Sequence, residues 1–371
     1  MGELITLCAP CLFGLEGLVA DELRRLKFED VRAENGRVFF AGGESDVARA
    51  NVTLSMAERV LLVLGQAHSA TFDELFEATR ALPWERYIPK NGAFPVTGHS
   101  LNSALHSIPD CQRIVKKAIA RRLSEKYGAE RHPEDGAEYK IRFAIMNDTV
   151  TLSLDTTGAG LHKRGYRPVS VAAPLRETLA AAMVRLARYR GRDRFVDPFC
   201  GSGTIAIEAA LAALNRAPGL NRDFAAQHWT TLPADIWSAV KDEARAREFN
   251  GAYDITGGDI DPKSIEIAKE HARRAGVAGQ VKFEVADARA FSPTEGGGVI
   301  VSNPPYGERV MEKRDAETLY REFGAAVRNL KDWQIYILSS HTEFERSFGK
   351  VASKKRKLYN GMIKCDLYMY T

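Results

Sequence analysis

Long hydrophobic runs are missing from this sequence of 371 residues. None approaches the ~20 apolar residues of a membrane helix, and Val60 to Leu64 is typical of what occurs, so no membrane partner is expected. Cysteine is scarce. Five scattered residues are too few for a disulfide scaffold and suggest a reducing compartment, the cytoplasm. Cys8 and Cys11 form a lone CxxC with no second pair nearby, which excludes a four-ligand zinc site there and leaves packed thiols at a strand end. The eight histidines show neither HxxxH nor HExxH spacing, so no metal is expected. Met1 to Ala20 carries Glu3 and no early Lys or Arg, a poor signal peptide. Residues 1–6 formally fit a myristoylation pattern, but Leu4 to Cys8 reads better as a first strand. Internal repeats and low-complexity tracts are also absent.

At ~150 residues per domain the length suggests two or three domains, and 45% apolar with 27% charged residues suits a folded globular chain. The net charge of +4 hides a segregation. Residues 111–126 carry net +5, residues 161–190 net +6 and residues 350–371 net +5. Any one of these also reads as a solvated helix face. Three together suggest a polyanion-binding surface, with Lys116, Lys117, Arg121, Lys163, Arg164, Arg167, Lys354, Lys355 and Arg356 as candidate RNA contacts.

Residues 1–65 alternate short strands (Ile5 to Cys8, Arg37 to Phe40) with a helix at Gly14 to Leu26. Residues 66–160 continue with a helix at Phe72 to Ala81, an extended stretch at Ala93 to Gly98, and a basic helix near Asp110 to Lys126. Strands at Tyr139 to Ile145 and Thr149 to Asp155 follow, an α+β pattern. Gly158 to Pro168 is a Gly- and Arg-bearing connector. From about Pro174 helix and strand alternate as a parallel α/β sheet requires. Strands are expected at Arg194 to Val196, Ile255 to Gly257, Val281 to Val285, Val299 to Ser302 and Gln334 to Leu338. A closing hairpin is expected about Asn360-Gly361.

In such a sheet ligands bind beyond the carboxyl ends of the strands. The first strand runs into Asp197-Pro198-Phe199-Cys200-Gly201-Ser202-Gly203, a turn whose glycines let backbone approach a ligand before a helix N-terminus. Asp259 ends the second strand and suits ribose hydroxyls, Ile260 beside it suits a purine face, and Asp287 after the third strand suits an adenine amino group. Together these fit S-adenosyl-L-methionine. A dinucleotide fits less well, because its acidic residue should follow the glycines by ~20 positions and Asp259 lies 56 beyond Gly203. The fourth strand ends at Asn303-Pro304-Pro305-Tyr306. There an exocyclic amine can donate to the Asn303 side-chain oxygen and the Pro304 carbonyl, while Tyr306 stacks on a flipped base. Cys200 reads as small-residue packing, since direct methyl transfer needs no nucleophile. His162 reads as a surface residue, and Glu308-Arg309 either orients the loop or meets RNA.

The glycine turn together with Asn303-Pro304-Pro305-Tyr306 resembles class I methyltransferases acting on amino nitrogens. With Gly160 to Arg167, Ala173 to Leu179, Phe72 to Leu75 and Pro109 to Gln112, the whole chain resembles the THUMP-domain guanine-N2 RNA methyltransferases, most closely the large-subunit ribosomal RNA branch. The resemblance implies a ferredoxin-like domain at 1–65, an RNA-binding THUMP domain at 66–160, and a Rossmann-like catalytic domain at 161–371. That last domain would hold a seven-stranded sheet closed by an antiparallel hairpin. It further implies that Asp197, Gly201 and Gly203 line the methionine part of the cofactor, with Thr178 near its carboxylate. Asp259 would take the ribose, Asp287 the adenine, and Asn303, Pro304 and Tyr306 the guanine. Some members carry a second methyltransferase domain downstream, an activity not expected of a chain ending at Thr371. Ribosomal RNA is the expected partner and transfer RNA the second. The alternatives are an adenine N6 or other planar amine as acceptor, and a non-enzymatic assembly factor. Residues 215–253, with Phe224, His228, Trp229 and Trp237, read equally as a substrate-side lid or as a packed helical insertion.

Overall fold

The computed structural model describes residues 4–128, 132–168, 175–293, 296–306 and 313–371, which form two compact units. The first comprises residues 1–11, 19–161 and 223–243, the second residues 12–18, 162–222 and 244–371.

The first unit is built on a seven-stranded sheet of order β2-β3-β1-β4-β7-β6-β5. Its strands are β1 (Ile5–Pro10), β2 (Glu29–Glu34), β3 (Arg37–Gly42), β4 (Leu61–His68), β5 (Val96–Leu101), β6 (Ile141–Met146) and β7 (Thr149–Asp155). Its helices include α1 (Glu16–Arg25), α2 (Glu44–Thr53), α3 (Phe72–Arg80) and α4 (Ile108–Tyr127). Among the described residues β5 and β6 are the one pair of these strands that runs parallel. The boundary expected at residue 65 falls inside β4, which pairs with β1 on one side and β7 on the other, so both halves share one sheet. α3 starts where Thr71 accepts the Glu74 amide at 3.2 Å and the Glu74 carboxylate accepts the Thr71 amide at 3.1 Å, a reciprocal cap.

Residues 223–243 belong to this unit as a packed insertion. Trp229 stacks on Tyr139 at 5.0 Å and donates its indole N–H to the Glu138 carbonyl at 2.9 Å. Phe224 stacks on Trp237 at 5.3 Å. These aromatics are buried, which decides between the two readings of the insertion in favour of packing.

The second unit holds β8 (Phe195–Asp197), β9 (Ile255–Asp259), β10 (Lys282–Val285), β11 (Gly298–Ser302), β12 (Trp333–Ser339), β13 (Lys354–Asn360) and β14 (Ile363–Tyr370). Their order is β10-β9-β8-β11-β12-β14-β13, parallel except at β14. The helices are α5 (Glu177–Leu186), α6 (Thr204–Ala213), α7 (Asp235–Ala246, its start in the first unit), α8 (Pro262–Ala275), α9 (Lys313–Val327) and α10 (Phe344–Phe348). Every residue of α6 except Ala212 is buried, as a helix apolar on all sides requires. α8 begins as Asp261-Pro262 suggests, with the Asp261 carboxylate accepting the amides of Lys263 and Ser264. Ile300, Ile337, Tyr320, Phe323, Phe344 and Tyr368 form the core between the sheet and α9–α10.

The closing hairpin is displaced by one residue from the expected turn. Asn360 pairs with Ile363, so Gly361-Met362 is the two-residue loop and Asn360 ends the strand. Gly361 takes a positive φ, which a loop opening on glycine uses to match the strand twist.

Candidate active site

β8 lies between β9 and β11, so the chain leaves it in both directions across the sheet. A crevice opens beyond the strand ends at such a switch point. It is a cavity of about 870 Å³. Asp197 to Ser202, Asp259, Ile260, Asp287 and Asn303 to Tyr306 all line it, so three strand-end loops expected to hold a methyl donor meet the loop expected to hold its acceptor.

The donor side is organised by carboxylates. Asp197 is 1% exposed and accepts the Ser302 hydroxyl at 2.5 Å and the Phe199 amide at 3.3 Å. Burial pushes its carboxyl up to about 7, against which the Ser302 hydrogen bond works. Asp259 accepts the Gly201 amide at 2.9 Å on one oxygen and the Asp261 amide at 2.9 Å on the other. It therefore fixes the glycine turn from the neighbouring strand, and each oxygen keeps a lone pair for a hydroxyl donor. A Cβ on Gly201 would meet nothing within 4 Å, and its φ of +50 is left-handed, so this turn presents bare backbone to the cavity. Gly203 answers a different demand. A Cβ there would come within 2.8 Å of the Phe283 ring and 3.0 Å of Ala268, so this glycine permits close helix–strand packing. Neither Gly203 nor Thr178 lines the cavity, and Thr178 is fully buried in α5.

Ile260 is 63% exposed, an apolar surface available to a flat ring. Asp287 is held by Arg289, whose Nε and Nη2 approach its carboxylate at 2.7–2.9 Å; this keeps its carboxyl below the usual range. Arg289 also reaches Glu322 of α9 at 3.3 Å. Arg289 and Glu322 both line the cavity and went unnoticed in the sequence, although an arginine two places after Asp287 was a visible signal. Cys200 is buried, and burial pushes its thiol up, in keeping with packing.

On the acceptor side the Tyr306 hydroxyl donates to Asn303 Oδ1 and receives the Cys365 thiol at 3.8 Å. The amide oxygen that an acceptor amine would use is thus already engaged once, and has a second lone pair. Tyr320 donates to the Pro305 carbonyl at 2.5 Å. Glu308 and Arg309 lie outside the described residues, as do Ala173 and Pro174.

The basic clusters divide under the structure. Arg164 is not a surface cation. It is 4% exposed and pairs with Glu208 at 3.3 Å, and the Tyr166 hydroxyl joins the same carboxylate at 3.2 Å. Arg167 is likewise internal, bonded to the Leu175 carbonyl at 2.8 Å, Thr204 Oγ at 3.0 Å and Glu177 at 3.1 Å. Both expectations of RNA contact are corrected by burial, and Lys163 just before them stays exposed. Lys116 turns to Glu134 at 2.6 Å and the Phe94 carbonyl at 3.1 Å, so it serves the fold. Lys117 and Arg121 remain exposed on α4, and Arg113 one turn earlier completes their stripe. Lys354, Lys355 and Arg356 lie on β13, the edge of the second sheet, where charge also deters strand addition. Lys355 pairs with Glu345 at 2.7 Å and Arg356 donates to the Gly14 carbonyl at 2.5 Å, while Lys354 is exposed.

A parallel sheet closed by an antiparallel hairpin, with a glycine turn and three acidic strand ends facing an Asn-Pro-Pro-Tyr corner, defines a class I methyltransferase. Comparison with known proteins places the chain further. Residues 164–369 match the RMKL-like methyltransferase domain, residues 6–61 the RlmL ferredoxin-like domain and residues 69–155 the THUMP domain. The chain belongs to this RMKL-like family of S-adenosyl-L-methionine-dependent, RNA-methylating enzymes. It is 45% identical to "Putative RNA methyltransferase YpsC" of Bacillus subtilis over 98% of this chain and 95% of that one. It is 35% identical to the ribosomal RNA large subunit methyltransferase K/L of Syntrophotalea carbinolica over 95% of this chain, and spans about half the length of that relative (52%). Among solved structures, one titled "Crystal structure of SMU.472, a putative methyltransferase complexed with SAH" superposes with a TM-score of 0.93 at 40% identity, covering 100% of this chain and 98% of its own. A Listeria monocytogenes protein titled "predicted N6-adenine-specific DNA methylase" does so with a TM-score of 0.94 at 46% identity, covering 100% and 96%. Among the described residues no helix is long and apolar enough to cross a membrane, and no cluster of His, Cys, Asp or Glu has the makings of a metal site.

Proposed function

We propose that the protein methylates the exocyclic N2 amine of a guanosine in RNA, with ribosomal RNA as the substrate. The observation that carries this reading is the convergence of the Gly201 turn and the Asn303–Tyr306 corner on one cavity. S-adenosyl-L-methionine, when bound, supplies a methyl group on a sulfonium. Gly201 offers it backbone, Asp197 a carboxylate, Asp259 acceptors for ribose hydroxyls, and Ile260 a face for the adenine. Asn303 Oδ1 and the Pro304 carbonyl accept the two amine hydrogens. This turns the nitrogen lone pair out of the purine plane and stabilises the positive charge that grows on nitrogen as the bond forms. The proton then leaves to solvent. Tyr306 holds the flipped base by stacking. Lys117, Arg121, Lys163 and Lys354 are the surface cations best suited to phosphates.

The test is nucleoside mass spectrometry of ribosomal and transfer RNA from cells with and without the gene, followed by transfer assays with purified RNA. Loss of N2-methylguanosine from ribosomal RNA is the expected result. Loss confined to transfer RNA moves the substrate, and loss of N6-methyladenosine with intact N2-methylguanosine overturns the acceptor.

A further inference from the structure

The acceptor corner contains two consecutive prolines, and this creates a specific positioning problem. The rings of Pro304 and Pro305 fix both φ angles, and each proline restricts ψ of the residue before it. Beyond the Asn303 Cα, the first backbone dihedral along Asn303-Pro304-Pro305-Tyr306 that no proline sets is therefore ψ of Pro305. Neither proline has an N–H, so the loop cannot tie itself down with its own donors at those positions. Yet ψ of Pro305 decides where the Tyr306 side chain leaves the backbone, and through the Tyr306–Asn303 contact it bears on the acceptor oxygen.

Tyr320 meets this need. It lies in α9 and is 1% exposed, its ring packed edge-on against Phe344 at 4.9 Å and His341 at 5.7 Å. The ring belongs to the core cluster of the unit, so its hydroxyl is delivered to a fixed place, the Pro305 carbonyl at 2.5 Å. Ser339 of β12, whose hydroxyl accepts the His341 amide at 3.1 Å, is the other polar side chain near the phenol. We propose that Tyr320 is a positioning residue for methyl transfer, whose hydroxyl sets the unconstrained turn of the acceptor loop and so aims Asn303 and Tyr306 at the substrate amine. The inference rests on the function proposed above and adds a residue that touches neither cofactor nor substrate.

The test is Tyr320→Phe in the full-length protein, which keeps the ring that fills the core and removes the donor. Single-turnover tritium transfer to saturating RNA is expected to slow about tenfold or more, while calorimetric affinity for S-adenosyl-L-methionine stays within twofold. Ser339→Ala removes the phenol's other neighbour but leaves the Pro305 bond, and is expected to keep the wild-type rate. An unchanged rate in Tyr320→Phe overturns the proposal. So does a parallel loss of rate and cofactor affinity, or an equal slowing in Ser339→Ala, because each is what a general structural role produces. Failure of Tyr320→Phe to fold also overturns it, since the hydroxyl is assigned to the loop and not to the core. The wild-type protein is assayed first: absence of transfer there overturns the proposed function, whereas equal rates in wild type and variant overturn only the role of Tyr320.

Discussion

Replacing Arg164 by alanine separates charge that folds the protein from charge that meets RNA. In sequence Arg164 sits between Lys163 and Arg167 in a strongly basic connector and looks like a phosphate contact. In the structure its guanidinium and the Glu208 carboxylate are each 2% exposed, joined at 3.3 and 3.4 Å, with Tyr166 as the carboxylate's third donor. Removing one partner of such a pair strands the other in a medium that solvates it badly, a loss of about 3–5 kcal/mol. At roughly 2–4 °C per kcal/mol for a unit of this size, the melting temperature falls by about 10 °C. Arg164→Met combined with Glu208→Leu is expected to recover most of the loss, because apolar groups of similar volume can replace a buried pair without leaving a charge behind. Filter binding of RNA over a range of salt supplies the contrast. Arg164→Ala leaves the slope unchanged, whereas Lys163→Ala lowers it by roughly 0.7–0.9 per phosphate contact and spares the melting temperature. An Arg164→Ala protein that melts normally but binds RNA with a flatter salt dependence would refute the assignment.

Asn303→Ala should reduce turnover by roughly 10²-fold while calorimetric binding of S-adenosyl-L-methionine stays near wild type, as expected for loss of one preorganised acceptor; equal turnover would remove Asn303 from the mechanism. Asp259→Ala should weaken the cofactor, because it deletes both a ribose acceptor and the anchor of the Gly201 amide at 2.9 Å, and wild-type affinity in calorimetry would reject that role. Asp197 has its carboxyl raised from 3.8 to about 7 by burial. The folded state therefore binds a proton that the unfolded state releases, and this group's share of stability is present below about pH 4 and is lost as pH rises through about 7. Asp197→Asn should flatten that part of the stability profile. It should also remove a rise in cofactor affinity between pH 6 and 8, the range in which the carboxylate becomes available to the cofactor's ammonium; a profile that survives the substitution would assign the titration elsewhere.

The catalytic half was legible because its signals are local. Short runs ending in Asp197, Asp259 and Ser302 mark parallel strands, and the residues immediately after them must lie at one edge of the sheet. What escaped notice depends on contacts between distant segments. Arg164 and Glu208 are 44 positions apart, and nothing in either neighbourhood distinguishes a buried ion pair from a solvated one. The pairing of β4 with β7 joins residues about 90 positions apart, so the sheet they share has no local signal in either segment. The hairpin was found but misplaced by one, because Asn-Gly is as good a strand end plus first loop residue as it is a whole loop. Trp229 and Trp237 announced burial without saying against what.

The polar residues of the two motifs build the cavity as well as read its ligands. Asp259 secures the glycine turn, Asp287 secures Arg289, and Tyr306 engages Asn303 before any base arrives. Alanine at these positions therefore removes a ligand contact and a structural tie together, and a loss of activity alone does not apportion the two. Substitutions that keep the internal bond and alter only the outward-facing chemistry do so. Asp259→Asn can still accept the Gly201 amide through its side-chain oxygen but turns a donor toward the Asp261 amide and the ligand alike, so a loss of cofactor affinity beyond what the fall in melting temperature accounts for would locate the remainder of the carboxylate's contribution in the ligand. The same logic makes Tyr306→Phe informative, because it keeps the stacking ring and frees Asn303 Oδ1. If the hydroxyl only occupies the acceptor oxygen in the free enzyme, its removal lowers KM for RNA; if it holds the amide in its working orientation, kcat falls instead.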